Sequence, residues 1–372
     1  MTLLSYLDSP QPNQNFVLLQ SSVSQSSLPL LRRVLAQNNG QNLKEPTTKL
    51  IFCFLHPPSS LVRNTAGNVE IHDFLDRVPG FDSDLWSDPC PEILGIVENV
   101  HPLHPAEVII DSVDTLLDDN GSIPEVYKFL QSLLALISAR SKPSRLILHL
   151  TKPSALLPLL LNTTFSPTLI HLIAHPPVLF THLATEYMTP PPPLSPDAKF
   201  WGVFIPFSER ARDVEELVFG QGGEGSGGSE EMVVEVLVRG KSDTSGRRKA
   251  VERFLEGWDI VKGTSMELSR LSSLASIWTR QKAVGKEAAP DPTQNVTFNL
   301  HLTPSQQESR ARVPLPYAHE GEAIEPIPNC ACLPSSRSFH SSNYTWCHFV
   351  RSRFSRRYRR RRSRRRSGYL NS

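Results

Sequence analysis

FVLLQSSVSQSSLPLLRRVL, residues Phe16 to Leu35, decides the fold. Its first four residues form a short continuous apolar run, the habit of a strand covered by helices on both faces. Gln20 to Ser27 is a polar stretch, and Leu28 to Leu35 suits a helix. Nucleotide-binding proteins place a glycine-rich phosphate loop in this strand, loop, helix order. The loop here has no glycine, so its backbone cannot easily make a phosphate-facing nest. It has no lysine either, so nothing neutralises the terminal phosphates. Ser21, Ser22, Ser26 and Ser27 are expected instead to cap the start of the helix.

Outward from this unit, strand and helix patterns alternate. Leu50 to Leu55 (LIFCFL) is a buried-type strand, Val69 to Phe74 a second strand or a helix start, and Ile93 to Val97 a weak strand. Val108 to Asp114 (VIIDSVD) is an apolar strand ending in Asp111. Pro124 to Arg140 spaces Val126, Phe129, Leu130, Leu133, Leu134 and Ile137 at three and four, as an amphipathic helix does, with Glu125 in its first turn and Arg140 at its end. Arg145 to Leu150 reads as a strand, Ser154 to Leu161 as a helix and Thr168 to Ile173 as a strand. A polyproline break at Pro190 to Pro193 follows. Phe200 to Phe207 and Met232 to Val238 read as late strands, and Ala250 to Leu255 and Thr264 to Trp278 as helical pieces. The pattern predicts an α/β domain: a mostly parallel sheet with helices on both faces and right-handed crossovers. The expected division is a domain over residues 1–284 with a flexible loop at 220–229, a linker at 285–290, a docking segment at 291–321 and a disordered basic tail at 322–372.

Composition bounds the rest. The 372 residues are 39% hydrophobic, enough for a core, and the 32 prolines exceed the usual one in about twenty, so much of the chain is punctuation. Five cysteines without close pairing through the body argue against a disulfide framework and for a reducing compartment. Met1 to Asp8 lacks a basic region and a long apolar stretch, so no signal peptide is expected. Leu146 to Leu161, interrupted by Lys152, Pro153 and Pro158, is too short to span a bilayer. A soluble chain is expected, with the sequons at Asn162, Asn295 and Asn343 unused. The net charge of +2 conceals a split: eleven arginines lie between Arg351 and Arg366, leaving residues 1–350 with 28 basic against 37 acidic side chains, a net of −9.

Candidate chemistry is thin. His171 and His175 have the spacing of a helical metal pair, with His182 nearby. No glutamate stands beside His171, and Pro176 and Pro177 follow at once, so strand and loop histidines are the better reading. Cys330, Cys332, Cys347 and His348 have irregular spacing for zinc. No nucleophile elbow is present. No catalytic, cofactor-binding or metal residue is therefore expected.

DPTQNVTFNLHLTPSQQESRARVPLPY, Asp291 to Tyr317, carries the most specific spelling. Val296, Phe298, Leu300 and Leu302 alternate with Thr297, Asn299 and His301, placing four apolar side chains on one face of an extended strand. That strand is either a last edge of the chain's own sheet or a segment that docks on a partner. Pro304 to Arg312 is helix-compatible. Asp291-Pro292-Thr293, Asn295, Phe298-Asn299-Leu300, Leu302-Thr303, Gln307, Arg310-Ala311-Arg312 and Leu315-Pro316-Tyr317 together resemble the C-terminal signature of Elongator subunit five of the fungal type, and the resemblance extends over residues 1–321. It implies a RecA-like domain without nucleotide-binding motifs. It implies assembly with Elongator subunits four and six, and through them with the catalytic Elongator core. The resulting ring binds transfer RNA and supports wobble-uridine modification of the 5-carbonylmethyl type, in cytoplasm and nucleus. Phe298, Asn299, Leu300, Leu302 and Tyr317 are the expected docking residues. The resemblance also sets Asp111 where RecA-like ATPases hold magnesium, although a lone acid without a phosphate loop has little to coordinate.

The tail departs from that family, whose members end in an acidic run. Read one nucleotide later with suitable codons, RRYRRRRSRRRSGYLNS (Arg356 to Ser372) becomes an aspartate-rich ending followed by a stop. Residues from about Ala323 onward are therefore expected to come from a shifted frame or a translated intron. Three classes of function remain. The chain is an architectural subunit, an NTPase with phosphate ligands supplied elsewhere, or an arginine-rich RNA-binding or splicing-type protein acting through its tail.

Overall fold

Phe16, Val17, Leu18 and Leu19 face opposite sides of one sheet, which is why the run is apolar at every position. Phe16 and Leu18 enter one core, Val17 and Leu19 another. The computed structural model describes residues 2–8, 10–11, 13–36, 47–62, 69–80, 87–101, 104–220, 230–240, 251–284 and 304–312. Within them the strands are β1 (Phe16–Ser22), β2 (Thr48–Cys53), β3 (Val69–Asp73), β4 (Ala106–Ile110), β5 (Arg145–Lys152), β6 (Leu169–His175), β7 (Glu231–Arg239), β8 (Glu252–Asp259) and β9 (Thr264–Met266). They form one sheet in the order β3-β2-β4-β5-β1-β6-β7-β8-β9. Pairs from β3 to β6 are parallel, whereas β7, β8 and β9 extend the sheet antiparallel. The fold is thus the expected class, a mostly parallel α/β sheet with helices on both faces.

The helices are α1 (Leu3–Asp8), α2 (Leu28–Ala36), α3 (Pro58–Leu61), α4 (Pro89–Asn99), α5 (Val113–Asn120), α6 (Ile123–Ser138), α7 (Leu157–Leu160), α8 (Pro177–Glu186), α9 (Asp197–Ser208), α10 (Ala211–Phe219), α11 (Ala275–Val284) and α12 (Pro304–Ala311). Helices α4 to α7 cover the face of Phe16, Leu18, Phe52 and Leu148. Helices α1 and α2 cover the face of Val17, Leu19, Ile51 and Ile147. Farther along, α8, α9 and α10 pack with Val233 and with Leu271, Leu274 and Ile277 into a third core. Gly257 on β8 makes that core possible: a Cβ there would lie 2.8 Å from Leu271 Cγ.

Under α1, three charges are buried together. Arg145 lies 2.9 Å from Glu107 and donates to the carbonyls of Tyr6 and Leu7 at 2.7 Å each. Lys49 Nζ stands 3.7 Å from Glu107 and donates to the Val34 carbonyl at 2.6 Å. These contacts fasten α1 and α2 to β2, β4 and β5.

Five expected elements differ. Ile93 to Val97 belongs to α4, because Asp88 accepts the Cys90 N–H at 2.9 Å as N-cap and Cys90, Ile93 and Val97 share a buried stripe. Phe200 to Phe207 is α9, where Phe200, Phe204 and Phe207 are buried at helical spacing and half-buried Trp201, Val203 and Ile205 fill the gaps, so a helix reads as a continuous run. Ala250 to Leu255 enters β8: Phe254 and Leu255 serve opposite cores, which only a strand permits. Thr264 to Trp278 splits into β9, two 3₁₀ turns at Leu268–Arg270 and Ser272–Leu274, and then α11. Ser154 to Leu161 shortens to the single turn α7 between Pro153 and the strand that follows. Val69 to Phe74 is resolved as the edge strand β3.

Contacts divide the chain into Met1–Asp291 and Pro292–Ser372. In the second unit the described residues form α12, an exposed helix with an Arg312–Glu308 ion pair at 3.2 Å. The segment holding Gly220 to Gly228 lies outside the described residues from 221 onward.

Candidate functional site at the carboxyl ends of the strands

From β1 the chain crosses through α2 towards β2, and from β5 it passes β1 through α7 to reach β6, on the opposite face. Neighbouring strands whose connections leave in opposite directions open a crevice at their carboxyl ends, where α/β sheets bind ligands. In this chain the crevice between β1 and β5 is filled by its own side chains.

Ser21 and His149 are both buried there, with Ser21 Oγ 2.7 Å from His149 Nε2. His149 Nδ1 is 2.6 Å from the backbone oxygen of Asp111. A carbonyl only accepts, so Nδ1 carries the hydrogen, Nε2 is the acceptor, and the Ser21 hydroxyl donates to it. Burial lowers the His149 pKa, which keeps the ring neutral despite the opposing hydrogen bond to Asp111. Ser21 Oγ in turn accepts the Ser27 N–H at 2.8 Å and lies 2.9 Å from the Ser27 hydroxyl. A serine and a histidine held this way resemble the start of a nucleophilic pair, but the hydroxyl is buried and committed to His149 and Ser27.

The loop itself is closed. Ser22 N–H donates to the Gln25 carbonyl at 2.9 Å and Gln25 N–H returns to Ser22 at 3.2 Å. Ser26 Oγ takes the Leu28 N–H at 3.1 Å. Of the four serines expected to cap the helix, Ser26 accepts an amide of α2, whereas Ser21 and Ser22 close the turn on the Ser27 and Gln25 amides and the Ser27 hydroxyl lies against Ser21. Val23 and Leu55, at 59% and 49% exposure, leave an apolar rim on the loops after β1 and β2.

Asp111 is fully buried, and its carboxylate is occupied too. It accepts the N–H groups of Phe54 at 2.6 Å, Leu55 at 3.1 Å and His56 at 2.7 Å, with His56 Nδ1 at 3.2 Å. Its neighbour Asp114 accepts the Thr151 N–H at 2.7 Å. Asp111 is therefore a clamp between β4 and the loop after β2. Among the described residues no group of three histidine, cysteine, aspartate or glutamate side chains could hold a metal ion.

His171 and His175 lie on β6, a strand, and turn to different partners. His171 Nε2 donates to Gln20 Oε1 at 3.0 Å, and burial pushes its pKa down to about 4. His175 lies 2.9 Å from Glu235, which also pairs with Arg253 at 2.9 Å. Burial alone would raise the Glu235 pKa; its hydrogen bond to His175 and the charges of His175 and Arg253 bring it below the usual carboxylate value. His182 lies apart, on α8, edge-on to Tyr187 and tilted against Phe207. The docking residues Phe298, Asn299, Leu300, Leu302 and Tyr317 lie outside the described residues, as do Cys330, Cys332, Cys347, His348 and the arginine tail. His149 was the residue that sequence reasoning missed; a lone histidine in the otherwise apolar RLILHL was the available signal.

A family model described as Elongator subunit Iki1 matches residues 3–326. No curated protein matches the chain in sequence. Similar solved structures include a KaiC-like protein from the hyperthermophilic archaeon Pyrococcus horikoshii OT3, 14% identical, covering 66% of this chain and 86% of that one at a TM-score of 0.35. Another is a DnaB-like replicative helicase, 8% identical, covering 69% and 59% at a TM-score of 0.33.

Proposed function

The chain belongs to the Elongator subunit Iki1 family, and from that premise we propose that it is subunit five, a non-catalytic, RecA-like architectural subunit. It joins Elongator subunits four and six in a ring that binds transfer RNA and supports wobble-uridine modification by the catalytic Elongator core. The observation that carries this reading is the self-filled crevice: Ser21, Ser27, His149 and Asp111 consume one another and the loop amides where a nucleotide would sit. A subunit built this way contributes surface instead of turnover, and Val23 and Leu55 offer an apolar rim for a neighbour.

Two measurements test the reading. Purified alone, the chain is expected to show no ATP turnover and no stoichiometric binding in a titration; hydrolysis-competent binding would overturn the architectural role. Phe298→Ala with Leu300→Ala is expected to weaken recovery of subunits four and six in a pull-down, since burying one such side chain contributes about 1.5–3 kcal/mol. Unchanged recovery removes this segment as the docking contact. If instead removal of residues 323–372 abolishes RNA binding by the isolated chain, the arginine-tail reading replaces the ring reading.

A further inference from the structure

Glu231, the first residue of β7, reaches across to the turn that precedes α11. Its Oε1 accepts the Ser272 N–H at 3.0 Å and the Ser272 hydroxyl at 2.9 Å. Its Oε2 accepts the Ser273 N–H at 2.9 Å and the Ser273 hydroxyl at 2.7 Å. Burial would raise the Glu231 pKa, but the hydrogen bonds from Ser273 and Ser272 outweigh it and lower the value. On its inner side the same turn seats Leu271 and Leu274, both fully buried, and Ile277 one turn on. On its outer side Ser272 and Ser273 face solvent. One carboxylate therefore clips the outer side of the turn before α11 to the sheet, through two exposed hydroxyls and two backbone amides, while the buried leucines hold its inner side.

We propose that Ser273 is a phosphorylation site for a protein kinase selective for basic sequences, and that its phosphate breaks this clip and releases the turn and α11. Arg270 stands three residues before Ser273, where an acidic kinase groove reads a cation, and its side chain is 74% exposed. Its pairing with Glu267 at 3.9 Å is too exposed to withhold it. In the transfer, the Ser273 oxygen bonds to the γ-phosphorus of magnesium ATP and the bond from that phosphorus to the β-phosphate oxygen breaks. The hydroxyl proton passes to the kinase's aspartate, and ADP leaves. The product loses a donor to Glu231 and gains a charge of about −1.5 to −2 beside it. The shallow cleft around the clip holds Glu230, Glu231 and Asp259 against Lys262 and Arg270, and Lys262 already pairs with Asp259 at 2.7 Å, so the local field opposes the phosphate.

The test uses the full chain with magnesium ATP and the catalytic subunit of cyclic-AMP-dependent kinase. Mass spectrometry is expected to find the phosphate on Ser273, absent from Ser273→Ala and slowed about tenfold or more in Arg270→Ala, which removes the charge-assisted contact. Hydrogen exchange over residues 268–279 is expected to quicken about tenfold on phosphorylation or in Ser273→Glu relative to Ser273→Ala, the loss of a charged hydrogen bond plus repulsion. Adding Glu231→Lys to Ser273→Glu should restore protection. An intact chain left unmodified at Ser273 overturns the site, whether or not a peptide of residues 266–280 accepts phosphate. Equal exchange in the Glu and Ala variants overturns the switch.

Discussion

Asp111 separates two readings of one residue. A carboxylate waiting for magnesium would tolerate truncation in the absence of ligand, whereas one that accepts three backbone N–H groups in a buried site would not. Asp111→Ala strands the amides of Phe54, Leu55 and His56, and hydrogen bonds to a charged group are each worth about 1.5–3 kcal/mol. The expected loss is about 3 kcal/mol or more in a urea titration without nucleotide or metal. Asp111→Asn, which keeps one acceptor of the same shape, should lose less. Equal stability of the alanine variant and the parent would return Asp111 to a ligand-binding role.

Among elements, the short helix α1 depends on charges that sit far from it in sequence. Arg145 reaches the carbonyls of Tyr6 and Leu7 while Glu107 on the adjacent strand β4 compensates its charge, and Glu107 also lies near Lys49 on β2. Arg145→Ala leaves Glu107 buried without its closest cation, so a loss of about 3–5 kcal/mol is expected, with hydrogen exchange rising first in α1. Replacing Lys49, Glu107 and Arg145 together by methionine or leucine should cost less than the single change; a triple variant worse than Arg145→Ala would contradict a desolvation-limited network. The parallel core was legible because strand segments such as Phe16–Leu19 and Leu50–Cys53 are apolar on both faces. Phe200 to Phe207 was not, since its outward positions are filled by half-buried Trp201, Val203 and Ile205 and by Gly202 and Pro206, leaving no polar face to set its period. At the crevice, missing glycine and lysine announced the lost phosphate loop, but what fills it comes from His149, 128 residues from Ser21, and no local pattern pairs them. β8 misled for a related reason: its two apolar neighbours, Phe254 and Leu255, belong to separate cores that only the tertiary fold creates.

For the molecule as a whole, buried His149 and His171 make stability depend on pH. His171 has a folded pKa of about 4 because burial excludes the charged form, and His149 is lowered for the same reason. Unfolded histidine takes a proton near pH 6.5. Between these values the unfolded chain binds protons that the folded chain refuses, so stability falls as pH drops from about 6.5 towards 4. Glu235 and Glu231 act in the same direction at the lower end, since their depressed values give stability that is lost as pH falls through the folded pKa. Denaturation midpoints are therefore expected to decline from neutral pH downward, beginning above the carboxylate range. His171→Gln, which can still hydrogen-bond Gln20 but cannot titrate, should flatten the decline by a few kcal/mol between pH 6.5 and 4. An unchanged slope in that variant would show that His171 is protonated in the folded protein and that its bond to Gln20 does not exclude the charge.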